Sequence, residues 1–248
     1  LEATLVKGLK VLEALAGRAA PAGVTELAGE LDLAKSNVHR LLVALTAQGY
    51  VTRSADGRGY VSTLRLWELG LRVGARIDFA SAGRPAAQAL AGASRETVHL
   101  SVLDGGEVLY VEKIDSPLAV RADTRVGGRA PAYCSATGKA LLAWADEATL
   151  ETACADMRRF TARTVTGRDV LERQLAGIRE RGYAVTRGEW REGVVGIAAA
   201  VVGASGRAVG ALGLGGPAER MGEERVAELA PQVVAAARAI ARALGVAA

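Results

Sequence analysis

The 248-residue chain has two cysteines, two histidines, two methionines and two phenylalanines, and aromatic residues make up only 4% of it. Each scarcity excludes something. Cys134 and Cys154 cannot build a disulfide framework or a cysteine-rich zinc site, which suits a reducing, cytoplasmic setting. With histidine only at positions 39 and 99, a nucleophile–base arrangement would have to be built around His99, with Cys134 as its one thiol. The run ATGKA around Gly138 lacks the preceding glycine of a phosphate-binding loop. No uninterrupted apolar run approaches the roughly 20 residues needed to cross a bilayer. The first residues mix Glu2, Lys7 and Lys10 with Leu5, Leu9, Leu12 and Ala16, the pattern of an amphipathic helix and not of a signal peptide. These absences predict no catalytic residues, no metal, no cofactor and no membrane partner.

What the chain does have is concentrated between residues 23 and 61, GVTELAGELDLAKSNVHRLLVALTAQGYVTRSADGRGYV. Val24, Leu27, Ala28 and Leu31 recur at helical spacing, with Thr25 as a side-chain N-cap and Glu26 in the first turn. A second helix is predicted from Lys35, with Val38, Leu41, Leu42 and Leu45 facing inward and Gly49 as its stop. Opposite that stripe lie Ser36, Arg40 and Val43, flanked by Asn37 and His39. Arginine can fork onto guanine, asparagine onto adenine, and a valine can touch a thymine methyl. Tyr50 to Arg53 and Tyr60 to Val61 read as two strands joined by Ser54 to Gly59. From residue 33 to 65 there are five basic residues and one acid, a net +4 that equals the formal charge of the whole chain. Positive charge is therefore focused where phosphates would lie. The layout is a winged helix-turn-helix, with Thr25, Lys35, Ser36, Asn37, His39, Arg40, Val43, Arg53, Arg58 and Tyr60 as its DNA-binding set. Its partner is a double-stranded DNA operator. One such module buries too little surface for strong selectivity, so a homodimer or dimer of dimers on a pseudo-palindromic site is expected.

Leu66, Leu69, Val73 and Ile77 then mark a connecting helix, weakened at Gly70 and Gly74. Gly83, Arg84 and Pro85 read as a break before a helix over Ala86 to Leu90. From residue 97 the period changes to two: Val98, Leu100 and Val102 alternate with Thr97, His99 and Ser101, a half-buried strand turning at Asp104 to Gly106 into a second strand over Val108 to Ile114. Further strands are predicted at Ala119 to Thr124, Tyr183 to Arg187, Ile197 to Val202 and Ala208 to Leu214. Helices are predicted at Gly138 to Trp144, Glu147 to Cys154, Val170 to Arg181 (capped by Thr166, with Asp169 at N3) and Gly222 to Leu244. The sum is an α+β chain with an antiparallel sheet. Its parts are a DNA-binding domain over residues 1–63, a linker helix over 64–79 and an effector-binding and oligomerisation domain over 80–248.

The run Lys35, Ser36, Asn37, Val38, His39, Arg40 resembles the opening of the recognition helix in IclR-type bacterial transcriptional regulators, with Asn37 in place of the usual threonine. GRAPAYCSATGKALLA (Gly128 to Ala143), RERGYAV, GVVGIAAAV and ALGLGGPAERM are similar to that family's later motifs, in the same order. The resemblance implies a GAF-like C-terminal domain that senses a small organic acid or a related aromatic metabolite and alters operator binding. The family's pocket positions correspond to Ala119, Ala130, Ala136, Thr137, Thr186, Gly196, Gly213 and Gly215. Here glycines and Thr186 replace more polar residues of well-known members, which leans the expectation toward a bulkier effector. Tyr133, Ser135 and Gly138 join the set from the turn into the helix, and Glu189 and Trp190 from the neighbouring loop. The rival reading is a small-molecule enzyme with an accessory DNA-binding head.

Overall fold

The computed structural model describes residues 3–74 and 78–246, which group into two compact units divided between residues 77 and 78. The first unit consists of α1 (Ala3–Ala16), α2 (Val24–Glu30), α3 (Lys35–Ala47), β1 (Val51–Arg53), β2 (Tyr60–Ser62) and α4 (Arg65–Gly74). Its core joins Val11 and Leu15 of α1 to Leu27, Val38, Leu42, Val51 and Tyr60. Leu5 and Leu9, expected on the inner stripe of α1, are 62% and 50% exposed, because Val11 and Leu15 take the core-facing side. Thr25 does not cap α2. Gly23 is the extended N-cap without a side-chain bond, and Thr25 stands exposed inside the helix. The end of α3 does follow the expected chemistry. Gly49 has φ +75°, and the Tyr50 and Gly49 N–H groups donate to the Leu45 and Thr46 carbonyls, a Schellman closure. β1 and β2 pair antiparallel, and β2 is pinned by reciprocal hydrogen bonds between Tyr60 and Ala22. Of the connecting-helix positions, Leu66 is half-buried, Leu69 and Val73 are exposed, and Ile77 lies outside the described residues.

The second unit contains α5 (Asp78–Ser94), β3 (Thr97–Asp104), β4 (Glu107–Ile114), β5 (Arg129–Pro131), α6 (Ala136–Leu142), α7 (Glu147–Cys154), α8 (Arg168–Arg181), β6 (Ala184–Arg187), β7 (Val194–Val202), β8 (Ala208–Pro217) and α9 (Glu223–Ala243). The strands form one antiparallel sheet in the order β5-β4-β3-β8-β7-β6. Helices α5 and α9 pack on one face and α6 on the other. β3 is therefore buried on both faces over Thr97 to Ser101 and is not half-buried as its alternation suggested. Gly105 and Gly106 both have positive φ, as a two-residue hairpin turn of type I′ requires.

Three further expectations are corrected. Helix α5 runs through Gly83, Arg84 and Pro85 without a break. Gly83 serves close packing: a Cβ there would sit 2.5 Å from Leu100 and 3.4 Å from Ile240, so its absence lets α5 settle between β3 and α9. Ala119 to Thr124 forms no strand; β4 pairs instead with Arg129–Pro131, after Gly127 (φ +79°) turns the chain. Helix α8 is entered through an extended Gly167, which leaves Thr166 outside the cap position and Asp169 at the second helical residue.

Candidate functional site

Two surfaces carry the chemistry, one on each unit. On the first, the inward burial of Val38, Leu41 and Leu42 turns Lys35, Ser36, His39, Arg40 and Val43 outward, with Asn37 half-buried beside them. The Arg40 Nη2 lies 3.5 Å from the Asn37 Oδ1, so the two side chains sit together on the outer face. In the hairpin, Ser54 donates to the Asp56 carboxylate at 2.5 Å, and Asp56 accepts from the Arg58 backbone N–H at 3.1 Å. This holds the tip and leaves the Arg58 side chain exposed. Arg53 lies 4.6 Å over the Tyr60 ring and donates to the Gly57 carbonyl. Tyr60 itself is 4% exposed, so its ring supports Arg53 from within the core and is not presented to a partner.

The second surface is a cleft of about 70 Å³ between the sheet and the loop carrying Glu189, Trp190 and Arg191. His99, Tyr110, Ala122, Thr124, Cys134 to Thr137, Thr186 and Leu214 line it, with Gly196 and Gly215 in the sheet below. His99 meets Tyr110 edge-on at 4.8 Å. Burial drives three titratable groups here toward their neutral forms: His99 is pushed down to about 4, the Tyr110 phenol up to about 12 and the Cys134 thiol up to about 12. A neutral thiol and a neutral imidazole lining one cleft lack the activation that nucleophilic catalysis needs. Among the described residues, the His99 Nδ1, Thr124 Oγ1 and Thr137 Oγ1 are buried without a hydrogen-bond partner. Leaving such an atom unsatisfied costs about 1–3 kcal/mol, so a ligand that reaches them would relieve that cost. At the mouth, the Arg191 guanidinium lies 4.6 Å over the Trp190 ring and is tied only weakly to exposed Asp123, at 3.9 Å.

Of the residues singled out from sequence, Ser135, Ala136, Thr137, Thr186, Glu189, Trp190, Gly196 and Gly215 are brought together around this cleft. The others lie elsewhere. Ala119 is exposed, Ala130 is buried in β5, and Tyr133 turns its hydroxyl to the Arg158 carbonyl at 2.8 Å. Gly138 is pressed against Ala132, and Gly213 lies under the Thr137 methyl. The sheet glycines thus do not widen the cleft as expected. A Cβ on Gly213 would lie 2.6 Å from Thr137 and one on Gly196 would lie 3.0 Å from Ala136, so their missing side chains seat α6 against the sheet. Ser135 also acts locally, donating to the Pro131 carbonyl at 2.8 Å.

Glu189 is neither a free loop charge nor an open ligand contact. It pairs with Lys139, which is 1% exposed and also donates to Gln174 at 2.6 Å. Burial outweighs their attraction, holding Lys139 below the usual lysine range and Glu189 above the usual carboxylate range. Sequence reasoning missed this pair, as it missed Tyr110, Ala122, Thr124 and Arg191. The available signal was a lysine set between Gly138 and the apolar run Ala140 to Ala143.

Comparison with known proteins bears on both surfaces. Residues 4–55 match the IclR helix-turn-helix domain and residues 72–242 match the bacterial transcriptional regulator IclR C-terminal domain. The chain is 34% identical to the HTH-type transcriptional regulator KdgR of Escherichia coli over 98% of its own length and 92% of that protein's. It superposes on the Thermotoga maritima IclR structure with a TM-score of 0.81 at 29% identity, covering 98% of both chains. An IclR homolog from Microbacterium hydrocarbonoxydans, solved in complex with 4-hydroxybenzoate, gives a TM-score of 0.84 at 27% identity, covering 98% of this chain and 99% of that one.

Proposed function

The chain belongs to the IclR family of bacterial transcriptional regulators, and from that premise we propose that its C-terminal cleft binds a small aromatic carboxylic acid that controls operator binding by α3 and the hairpin. A ligand-responsive regulator with an N-terminal DNA-binding and a C-terminal effector domain is what the family comprises; the effector class, the residues that hold it and the oligomeric state are our reading. One observation carries the effector class. Three orphaned polar atoms belong to His99, Thr124 and Thr137 in the lining of a cleft walled by Tyr110, Trp190, Ala122, Ala136 and Leu214, with the Arg191 guanidinium at its mouth. A planar ring suits those walls, a hydroxyl can reach the orphaned atoms, and a carboxylate can pair with Arg191. The neighbour solved with 4-hydroxybenzoate supports the same choice.

A thermal-shift and calorimetric series on the full chain tests this. 4-Hydroxybenzoate or a close aromatic acid is expected to raise the Tm in proportion to ligand excess, with pyruvate far weaker. Arg191→Ala should weaken the aromatic acid about tenfold or more. An equal response to both acids, or none to either, would remove the aromatic reading.

For the DNA-reading surface, Arg40→Ala is expected to lower affinity for the cognate operator by about 1–3 kcal/mol, roughly 5- to 150-fold, and to leave random DNA little affected. Arg58→Ala should weaken both DNAs alike and flatten the salt dependence by about one phosphate contact. Mobility-shift titrations at several salt concentrations separate the two; matched losses on both DNAs for Arg40→Ala would displace α3 from the recognition role.

A homodimer accords with the exposed apolar side chains of the first unit. Leu5 and Leu9 on α1 and Trp67, Leu71 and Val73 on α4 are 50–63% exposed, and covering them with a second copy would place two reading helices on one operator.

A further inference from the structure

A second cavity of about 430 Å³, which shares Glu189 with the effector cleft, opens between α8 and β6. Four arginines line it, Arg163, Arg173, Arg181 and Arg187, around the buried Lys139 and Glu189 and the half-buried Gln174. Arg173 pairs with Asp169 at 3.1 Å. Among the described residues, Arg163, Arg181 and Arg187 have no carboxylate within ion-pair distance, and Glu192 in the adjoining depression does not reach them. Arg181 gives its Nε to the Tyr183 carbonyl at 2.7 Å, and Arg187 gives Nη1 to the Met221 carbonyl at 3.3 Å. Each spends one contact of the five N–H donors a guanidinium carries. The one carboxylate in the wall, Glu189, is already taken by Lys139.

Guanidinium groups stay charged at all accessible pH values, so their mutual repulsion cannot be relieved by titration. A multivalent anion relieves it, and planar forks suit carboxylate and phosphate oxygens in pairs. We infer that this cavity is a binding site for a compact polyanion with adjacent anionic groups, a phosphoryl or polycarboxylate metabolite, separate from the effector cleft and divided from it by Glu189. The shape favours a small ligand over a nucleic-acid backbone. Arg187 is half-buried, so unpaired charge lies inside the concavity as well as along its rim.

Calorimetric titration of the full chain with pyrophosphate and with citrate, against sodium chloride at equal ionic strength, tests the site. Saturable binding of at least one of them is expected, weakened about tenfold or more by Arg163→Gln and, separately, by Arg181→Gln. Both side chains are exposed, and the unliganded Tm of each variant should stay at the wild-type value. Pyrophosphate binding identifies a phosphoryl ligand and citrate binding a polycarboxylate. Heats no larger than those of chloride, or binding indifferent to both substitutions, would overturn the site. So would variants that lose affinity for random DNA while neither polyanion binds wild type, an outcome that assigns the charge to duplex contacts.

Discussion

Lys139→Ala is expected to destabilise the effector-binding domain by about 3–5 kcal/mol, because it leaves the Glu189 carboxylate buried without its counter-ion. Glu189 is also held in place through its backbone. Its backbone carbonyl accepts from Thr164 at 2.6 Å and, more weakly, from Thr161, which fixes the loop, and Gln174 would lose its ammonium donor as well. Protonating Glu189 would soften the loss, and its pKa is already raised by burial, so the variant should be least impaired at acidic pH. The double variant Lys139→Met/Glu189→Gln should recover more than half of the lost stability, since exchanging both charges for neutral groups removes the unpaired ion. Denaturant unfolding of the single and double variants at two pH values measures each step. A single variant within about 1 kcal/mol of wild type would mean that water reaches the pair, and the wall between the two cavities would be open.

The helix-turn-helix was readable because its determinants are local. Val38, Leu41 and Leu42 define a stripe within a single helix, Gly49 closes that helix by its own φ, and the Tyr50–Arg53 and Tyr60–Val61 strands need only a hairpin turn to meet. Thr25 misled because cap choice depends on where the chain becomes helical, and the helix already begins at Val24, which puts the cap at Gly23, two residues before Thr25. In the second unit the short-range signals failed wherever distant contacts decided. Pro85 and Gly83 look like a helix break, yet Gly83 is what lets α5 approach Leu100 and Ile240. Arg129–Pro131 carries little strand signal and is a strand because Val108 and Leu109 pair with it. The cleft was half legible for the same reason. Ser135 to Thr137 lie in one motif, whereas Tyr110, Thr124 and Arg191 join them only through the order of the sheet. Local inspection of Gly196 and Gly213 could not reveal that Ala136 and Thr137 occupy the space they leave.

Gly138→Ala is expected to cost about 3 kcal/mol or more, a large effect for adding one methyl group. The new Cβ would lie 2.3 Å from both the Cα and the carbonyl oxygen of Ala132, and backbone atoms cannot swing aside as a side-chain end can. The contact joins α6 to the short 3₁₀ turn Ala132–Cys134, which continues into Ser135 at the cleft. To relieve the clash, either α6 must lift from β7 and β8 or the turn must move outward, and both shifts displace Ser135, Ala136 and Thr137 together. Aromatic-acid binding should therefore fall even under conditions where the variant remains folded. Gly92→Ala is the matched control: it lies exposed in α5 with nothing within 4 Å of its added Cβ, so helix propensity alone predicts a gain of roughly 1 kcal/mol. Thermal melts of the two full-length variants should move in opposite directions from wild type. A Gly138→Ala protein that melts with wild type and binds the acid unchanged would show that α6 has room to move, and the close seating of this helix could not then be what shapes the cleft.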